Sequence, residues 1–121
     1  MKLITAVIRP EKCQAVKDAL KEKGVNGMTI THVYGRGSQA GLRFTTRAGE
    51  IIVDELEKTK IEIVIDDDLV DMTIDTIVAA AQTGKPGDGR LIVTPVERFV
   101  RIRPEPVPEA VPAEAETETE E

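Results

Sequence analysis

The fold of this chain is decided by residues 58–96, which read KTKIEIVIDDDLVDMTIDTIVAAAQTGKPGDGRLIVTPV. The run rich in isoleucine and valine at 58–65 predicts a β-strand. Three aspartates follow it, and acidic residues favour a helix N-terminus. The apolar residues after them recur at helical spacing and predict one apolar helix face: Val70, Ile74, Ile77, Val78 and Ala81. A glycine-rich stretch at 82–90, the glycine loop, ends this helix, and a strand is predicted at 91–96 with Pro95 at an edge or bulge.

The first part of the chain has the same order of elements. Residues 2–9 predict a strand, Pro10 suits the first turn of a helix, and Gly24 suits its end. The helix between them has one apolar stripe, formed by Cys13, Val16, Leu20 and Val25. Residues 28–34 alternate as a strand does. The order strand–helix–strand therefore occurs twice, which predicts an α+β fold: a ferredoxin-like double βαβ sandwich with an antiparallel sheet.

Residues 38–54 join the two halves and show no clear period, apart from a short strand predicted at 51–53. A structureless loop of more than about 12–15 residues is uncommon in a compact domain and is usually functional. The loop mixes cations such as Arg43 and Arg47 with apolar residues such as Phe44, so we expect it to contact a partner protein. The alternative interpretation is a long hairpin with a frayed tip.

Charge divides the chain into one domain and a tail. Residues 104–121 hold seven of the 22 acids, four of the seven prolines and no base, a composition that predicts a disordered acidic tail. Residues 1–103 then carry nearly balanced charge and form a single domain, without the broad basic patch of a nucleic-acid-binding protein. The three aromatic residues are too few for base stacking on a sheet. The sequence has no signal peptide and no apolar run of membrane-spanning length, so we expect a cytoplasmic protein.

The other chemically capable residues have structural explanations. Cys13 lies on the apolar stripe of the first helix and is expected to pack as a small hydrophobic side chain. His32 lies in an alternating strand, where a packed or edge position is expected. The aspartates at 66–68 suit a helix cap better than a Mg²⁺ site. No Ser/His/Asp set and no Cys/His metal cluster is present, which argues against an enzyme.

Three features together suit a polyphosphate. The glycine loop has three glycines and two cations, so backbone N–H groups and positive charge can approach an anion. A second glycine cluster, at 35–41, ends an earlier strand. Residues 99–103 predict a final strand, in which Arg101 and Arg103 are two positions apart and so lie on one face. Guanidinium donors pair well with phosphate oxygens.

The chain resembles the PII signal-transduction proteins along nearly all of residues 1–103, without a gap. The resemblance rests on six motifs that occur in order at the family's spacing. They are Gly27-Met28-Thr29, Gly35-x-Gly37-x-Gln39-x-Gly41, Arg47-Ala48-Gly49-Glu50, Lys58-x-Lys60-Ile61-Glu62, Thr83-Gly84-Lys85-Pro86-Gly87-Asp88-Gly89-Arg90 and Arg101-Ile102-Arg103. Any one of them alone would be weak evidence, because short glycine motifs are common.

The resemblance implies a homotrimer of ferredoxin-like subunits that acts as a regulator rather than as an enzyme, with slow ATP hydrolysis at most. ATP or ADP would bind in the clefts between subunits, and 2-oxoglutarate would bind beside Mg-ATP. The loop at 38–54, called the T-loop in this family, would then bind or release a partner, such as an ammonium channel or an enzyme of nitrogen assimilation. No nucleic acid is implied, and a membrane only indirectly, through the channel.

The family's residue roles carry over to the matching positions of this sequence, in which the glycine loop corresponds to the family's B-loop. The nucleotide-binding residues implied are Val7, Thr29, Gly35, Gly37, Ser38, Gln39, Glu62, Val64, Gly87, Asp88, Gly89, Arg90, Arg101 and Arg103. Those implied for 2-oxoglutarate are Gln39, Gly41, Lys58 and Gly87, and Gln39 would also hold the Mg²⁺ shared with ATP. Those implied for partner binding are Arg47, Glu50 and Ile51, with Arg47 as the side chain that plugs an ammonium channel.

Seven positions depart from the family pattern, and three of them, Phe44, Thr45 and Thr46, leave the identity of the loop's partner open. Ile51 replaces the T-loop tyrosine that is uridylylated or adenylylated, and Gly49 lacks the hydroxyl that is phosphorylated in some relatives, so neither modification is expected. Ser38 replaces a basic residue and Ala40 a common lysine, which we expect to change nucleotide affinity or the preference between ATP and ADP. These departures keep an alternative open: a PII-like adapter that senses adenine nucleotides or another small molecule without a response to 2-oxoglutarate.

Overall fold

The computed structural model describes residues 1–36, 42–53 and 55–103. Within these ranges the chain has six strands, two α-helices and two short 3-10 turns. The strands are β1 (Lys2–Ile8), β2 (Thr29–Gly35), β3 (Leu42–Thr46), β4 (Gly49–Val53), β5 (Leu56–Ile65) and β6 (Gly89–Pro95). The helices are α1 (Cys13–Glu22) and α2 (Val70–Ala81), preceded by the 3-10 turns Pro10–Lys12 and Asp67–Leu69.

Four of the strands form one sheet in the order β2-β5-β1-β6, in which every neighbouring pair is antiparallel. Strand β1 is followed by α1 and then β2, and β5 is followed by α2 and then β6, so each half is a strand–helix–strand unit. In the sheet, β5 lies between β1 and β2, and β1 lies between β5 and β6. This interleaving is the ferredoxin-like arrangement, so the predicted α+β double βαβ fold is confirmed.

The hydrophobic core lies on one face of this sheet. Isoleucine and alanine alternate along β1, and isoleucine along β5, so each strand turns one row of apolar side chains towards the helices. The buried core consists of Ile4, Ala6, Ile8, Val16, Leu20, Val25, Ile61, Ile63, Ile65, Ile77 and Ala81. The residues between them in the strands, such as Thr5 and Val7, lie on the opposite face, which no helix of the described chain covers.

Helix α2 has four of its five predicted apolar residues in or against the core: Val70, Ile74, Ile77 and Ala81. Its buried residues are Thr73, Ile77 and Ala81, which are spaced at i, i+4 and i+8. The Thr73 hydroxyl donates to the Leu69 carbonyl oxygen over 2.8 Å, so a polar side chain is accommodated in the buried row. Val78 was predicted on this face, but 42% of it is exposed.

The aspartates before α2 do not cap it as predicted. Asp66 occupies the N-cap position of the 3-10 turn, but its side chain makes no capping hydrogen bond. Asp67 instead accepts from the N-terminal ammonium group of Met1 at 2.9 Å and from Lys2 at 3.3 Å. These contacts hold the pKa of Asp67 below its usual value, first through the hydrogen bond from the N-terminus and then through Lys2. The aspartate run therefore fastens the start of β1 to the start of the helix.

Most of the loop predicted to lack structure is a hairpin. Strands β3 and β4 pair with each other in antiparallel register, from Leu42 opposite Val53 to Thr46 opposite Gly49. This two-stranded sheet is separate from the four-stranded sheet. The alternative of a long hairpin is therefore correct for residues 42–53, and the strand predicted at 51–53 is part of β4. Residues 37–41 and 54 lie outside the described residues.

The final strand predicted at 99–103 is wrong. The Val96 N–H donates to the Met1 carbonyl oxygen over 3.2 Å, and beyond it the described chain has no strand. A strand needs a neighbouring strand to bind its backbone N–H and C=O groups, and no described segment of this chain pairs with 99–103. Ile102 is fully exposed and Val100 is 72% exposed. The acidic tail at 104–121 lies outside the described residues.

Candidate functional site

The strand residues predicted to contact a nucleotide share the helix-free face of the sheet. Facing residues of antiparallel strands have their side chains on the same side. The pairs on the helix-free face are Val7 with Arg90, Thr29 with Glu62, and Leu3 with Val64. All are partly or fully exposed in the single chain. The fold therefore keeps these positions on one surface, away from the core.

The glycine loop is fastened to β1 by Arg9, which directly follows that strand. The Arg9 Nε donates to Asp88 Oδ1 over 3.0 Å, and the Arg9 Nη2 donates to the Pro86 carbonyl oxygen over 2.7 Å. One guanidinium group thus holds the loop at a backbone carbonyl and at a side-chain carboxylate, across a sequence separation of almost the whole domain. The sequence prediction missed this residue, because no local pattern connects position 9 with position 88.

Asp88 closes the glycine loop on itself. Its Oδ2 accepts from the Thr83 N–H at 2.7 Å and from the Gly84 N–H at 2.9 Å, and its Oδ1 accepts from the Thr83 hydroxyl. Hydrogen bonds from Thr83, and then those from Arg9 and Gly84, hold the pKa of Asp88 well below its usual range. The carboxylate is therefore ionised at neutral pH, and its charge is matched by Arg9.

All three glycines of the loop have a positive φ, which only glycine adopts readily, and φ is +83° at Gly84. Gly87 has φ +98° and Gly89 has φ +104°. A Cβ built on Gly89 would lie 1.8 Å from the carbonyl oxygen of Val7, so the loop backbone passes directly against β1. A chain this close to its neighbour, with no side chain at 87 or 89, leaves its peptide groups accessible to an anion.

Lys58 extends this group of cations. Its Nζ donates to the Gly87 carbonyl oxygen, and the side chain is half-buried. Burial, and then the nearby charge of Arg9, lower the pKa of Lys58 below its usual value, while Glu11 and Asp88 partly offset this effect. The half-buried ammonium beside a guanidinium attracts a carboxylate or a phosphate.

A second feature is an open cleft of about 560 Å³ at the other end of the sheet. It lies beside the connection from α1 to β2, the end of β5 and the segment after β6. The predicted or motif residues among those lining it are Gly27, Met28, Thr29, Glu62, Val64 and Arg101. The Arg101 guanidinium carbon lies 5.3 Å from the ring centroid of Phe99, so the two side chains stack.

The predicted site residues therefore fall into two groups in one chain. Gly89 faces Ile8 at one end of β1, and Val64 of the cleft faces Leu3 near its other end. Five residues of strand separate these points, or about 17 Å at 3.4 Å per residue. One copy alone does not place Arg101 beside the glycine loop.

The structure describes some of the remaining predicted residues and not others. Gly35 ends β2, next to Leu56 of β5. Arg47 is exposed at the turn between β3 and β4, and the backbone of Glu50 and Ile51 lies in β4. Arg103 is exposed after β6. Four further predictions, Gly37, Ser38, Gln39 and Gly41, lie outside the described residues and stay predictions.

The described ranges lack both a cluster of metal-binding side chains and a membrane-spanning helix. They contain no group of three or more His, Cys, Asp or Glu side chains that could hold a metal ion. They also contain no helix that is both long enough and apolar enough to cross a membrane.

The fold and this arrangement define a class: a ferredoxin-like α+β subunit with a glycine loop fastened beside two cations. Comparison with known proteins agrees. The sequence profile of the family described as "Nitrogen regulatory protein P-II" matches residues 1–106. The chain is 52% identical over 103 residues to nitrogen regulatory protein P-II 1 of Escherichia coli strain K12, which covers 85% of this chain and 92% of the relative. It is 50% identical over 103 residues to nitrogen regulatory protein P-II 2 of Methanothermobacter thermautotrophicus, covering 85% and 90%. The chain belongs to the P-II family of nitrogen regulatory proteins, and the resemblance found in its sequence is confirmed.

Proposed function

We propose that this chain is a signal-transduction regulator that binds ATP or ADP in clefts between the subunits of a homotrimer, and 2-oxoglutarate beside Mg-ATP. The observation that carries the proposal is the fastened glycine loop, which presents glycine backbone at 87 and 89 next to Arg9 and Lys58. Membership of the P-II family supports a regulatory role. We infer the binding of a nucleotide, the binding of 2-oxoglutarate and the formation of a trimer from these two facts.

The phosphates would bind at the glycine loop. The backbone N–H groups of Gly87 and Gly89 would donate to phosphate oxygens, and Arg90 would add positive charge. The adenine and ribose would lie on the helix-free face, near Val7 and Glu62. This face is polar at several positions and uncovered in one chain, which suits an interface between copies of the chain.

The separation of the two groups of residues supports a site shared between subunits. Arg101 lines the cleft beside Leu3, and about 17 Å of strand separates Leu3 from Ile8, which faces Gly89 of the glycine loop in the same chain. In a homotrimer, the cleft of one subunit can face the glycine loop of the next. Arg101 and Arg103 of one copy would then reach phosphates held by the glycine loop of its neighbour.

The second ligand would bind next to the phosphates. Mg²⁺ takes most of its ligands from phosphate and water oxygens, so the single amide oxygen of Gln39 would suffice on the protein side. Lys58, with Gly41 and Gly87 nearby in the predicted site, would pair with a carboxylate of 2-oxoglutarate. The half-buried position of Lys58 supports this role, because a partly desolvated ammonium binds an anion more strongly than an exposed one does.

The output would come from the T-loop at 38–54. Arg47 lies exposed at the turn of the β3–β4 hairpin, where a long cationic side chain can enter a pore or a pocket of a partner. An ammonium channel or an enzyme of nitrogen assimilation is the partner we propose, with Glu50 and Ile51 beside the contact.

Calorimetric titration tests the proposal. ATP is titrated first, and then 2-oxoglutarate with and without Mg-ATP, for the wild-type chain and the Gln39→Ala and Lys58→Met variants. Binding of 2-oxoglutarate only with Mg-ATP, and its loss in both variants, is the expected result. Lys21→Met is the matched control, because it removes one exposed positive charge on α1 far from the glycine loop. Failure of the wild-type chain to bind any adenine nucleotide contradicts the proposal.

A second candidate function is the adapter without a response to 2-oxoglutarate. The observation in its favour is that the Lys58 Nζ already donates to the Gly87 carbonyl oxygen, so a carboxylate has to compete with this bond or use the remaining two N–H donors. Nucleotide binding with no heat from 2-oxoglutarate at any Mg-ATP concentration would favour the adapter.

A further inference from the structure

The orientation of the Pro86–Gly87 peptide depends on Arg9. Pro86 and Gly87 form a turn, and the positive φ of Gly87 is the one that a type II turn requires at its third residue. Type I and type II turns differ by a flip of this central peptide, and proline at the second residue is compatible with both. The Arg9 Nη2 holds the Pro86 carbonyl oxygen at 2.7 Å, and so stabilises one of the two orientations.

This contact also fixes the direction of a backbone donor. The described chain has no cis peptide bond, and in a trans peptide the C=O and N–H groups point in opposite directions. Since the Pro86 carbonyl points at Arg9, the Gly87 N–H points away from Arg9. A flip of this peptide would turn the Pro86 carbonyl oxygen towards an incoming anion and would repel it.

The same guanidinium fixes the loop through a second bond. Its Nε donates to Asp88 Oδ1 at 3.0 Å, and Asp88 in turn accepts from the N–H groups of Thr83 and Gly84. Both carboxylate oxygens are occupied by the loop and by Arg9. Asp88 therefore closes the loop rather than facing a ligand, and an acid near a phosphate site is neutralised by its own contacts.

We propose that Arg9 is a positioning residue for phosphate binding, because it holds the Pro86 carbonyl and the Asp88 carboxylate and so selects the loop conformation in which the Gly87 N–H is presented to the ligand. Asp88 is its partner in this role. The inference rests on the proposed nucleotide site and deepens it, since it says what makes the glycine loop competent to bind a polyphosphate.

The experiment compares Arg9→Met, Arg9→Lys and Asp88→Asn with the wild-type chain and with Lys21→Met as the control for net charge. Affinities for ATP and for adenosine are measured separately, by calorimetry and by NMR titration. Hydrogen exchange of the Thr83 and Gly84 amides is measured without ligand. The ligand-free measurement tests the loop contacts whether or not nucleotide binds.

The loss of two charge-assisted hydrogen bonds in Arg9→Met is expected to weaken ATP binding about tenfold. The affinity for adenosine is expected to stay unchanged, because adenosine has no phosphate that could bind the glycine loop. Arg9→Lys restores the charge but not the two-pronged donor geometry, so it recovers only part of the loss. The Thr83 and Gly84 amides are expected to exchange faster in Arg9→Met and in Asp88→Asn. A variant that carries both substitutions should exchange little faster than either single variant.

Two results would overturn the inference. One is an unchanged ATP affinity and unchanged amide exchange in Arg9→Met. The other is an equal loss of ATP and adenosine affinity, which would mean a general effect on the fold. If the wild-type chain does not bind ATP, the proposed function fails and this role with it, whereas faster amide exchange in Arg9→Met would still show that Arg9 holds the loop.

Discussion

Replacement of Gly89 by alanine is expected to destabilise the fold in two ways, through a strained backbone conformation and through a steric clash with β1. Gly89 has φ +104°, and a Cβ there would lie 1.8 Å from the Val7 carbonyl oxygen and 2.8 Å from the Val7 carbonyl carbon. These atoms and the nearby Ile8 Cα are backbone atoms of β1, which have no rotamer to change. The alanine therefore forces the start of β6 away from β1.

The magnitude follows from these two terms. A left-handed backbone costs a non-glycine residue about 1–2 kcal/mol. A backbone shift that relieves an overpacked contact costs about 1–3 kcal/mol more. We expect Gly89→Ala to lower the free energy of unfolding by about 2–5 kcal/mol, a large part of the stability of a domain of this size.

Gly84→Ala is the matched control. Gly84 lies in the same loop and has φ +83°, but a Cβ there would meet no atom within 4 Å. It should therefore show the backbone term alone, about 1–2 kcal/mol. Urea unfolding at one fixed protein concentration measures both variants, and a shift of the midpoint at constant slope reports the change in stability. A Gly89→Ala variant no less stable than Gly84→Ala would refute the argument from close approach.

Three further predictions follow from the described contacts. Ile77→Ala removes a fully buried side chain of the core and is expected to cost about 2–5 kcal/mol of unfolding free energy in urea, whereas Val78→Ala, at an exposed position, should cost much less. Asp67→Asn is expected to be less stable than the wild-type chain at neutral pH, and this difference should vanish as the pH falls through the lowered pKa of Asp67, because the wild-type carboxylate is then protonated too. Thermal unfolding from pH 7 down to pH 2 checks this, and a pH-independent difference would contradict it. In Arg9→Met the pKa of Lys58 should rise, since one of the charges that lower it is gone, and an NMR titration of the Lys58 side chain would contradict the prediction by showing a fall or no change.

The two central strands of the four-stranded sheet, β1 and β5, were predictable because buried residues alternate along them with less buried ones. Residues such as Ile61 and Ile63 alternate with polar ones, since one face of β5 meets the helices and the other does not. The hairpin at 42–53 was harder to predict. Strands β3 and β4 pair only with each other, so the four-stranded sheet imposes no alternation on their residues.

The candidate site was predictable as a set of residues but not as a geometry. Gly87 and Gly89 could be identified because the backbone conformations they adopt exclude other residues. The contact of Arg9 with Asp88 could not, because it depends on β1 and β6 being neighbours, which is a property of the whole sheet. The strand predicted at 99–103 failed for a related reason, since pairing depends on a neighbour that a local pattern does not reveal.

The sheet register explains how ligand binding could reach the T-loop under the proposed function. Strand β2 ends and β5 begins side by side, with Gly35 opposite Leu56 and Val33 opposite Lys58, so the T-loop starts and ends at the same point of the sheet. Lys58 lies two residues from that point and holds the Gly87 carbonyl of the glycine loop. A carboxylate that displaces the Gly87 carbonyl from Lys58 would therefore change a contact between the glycine loop and the base of the T-loop. Arg9 holds the other side of the same turn, so the glycine loop keeps its shape while the Lys58 contact is exchanged. Under the proposed function, ligand binding would in this way change the base of the hairpin that carries Arg47.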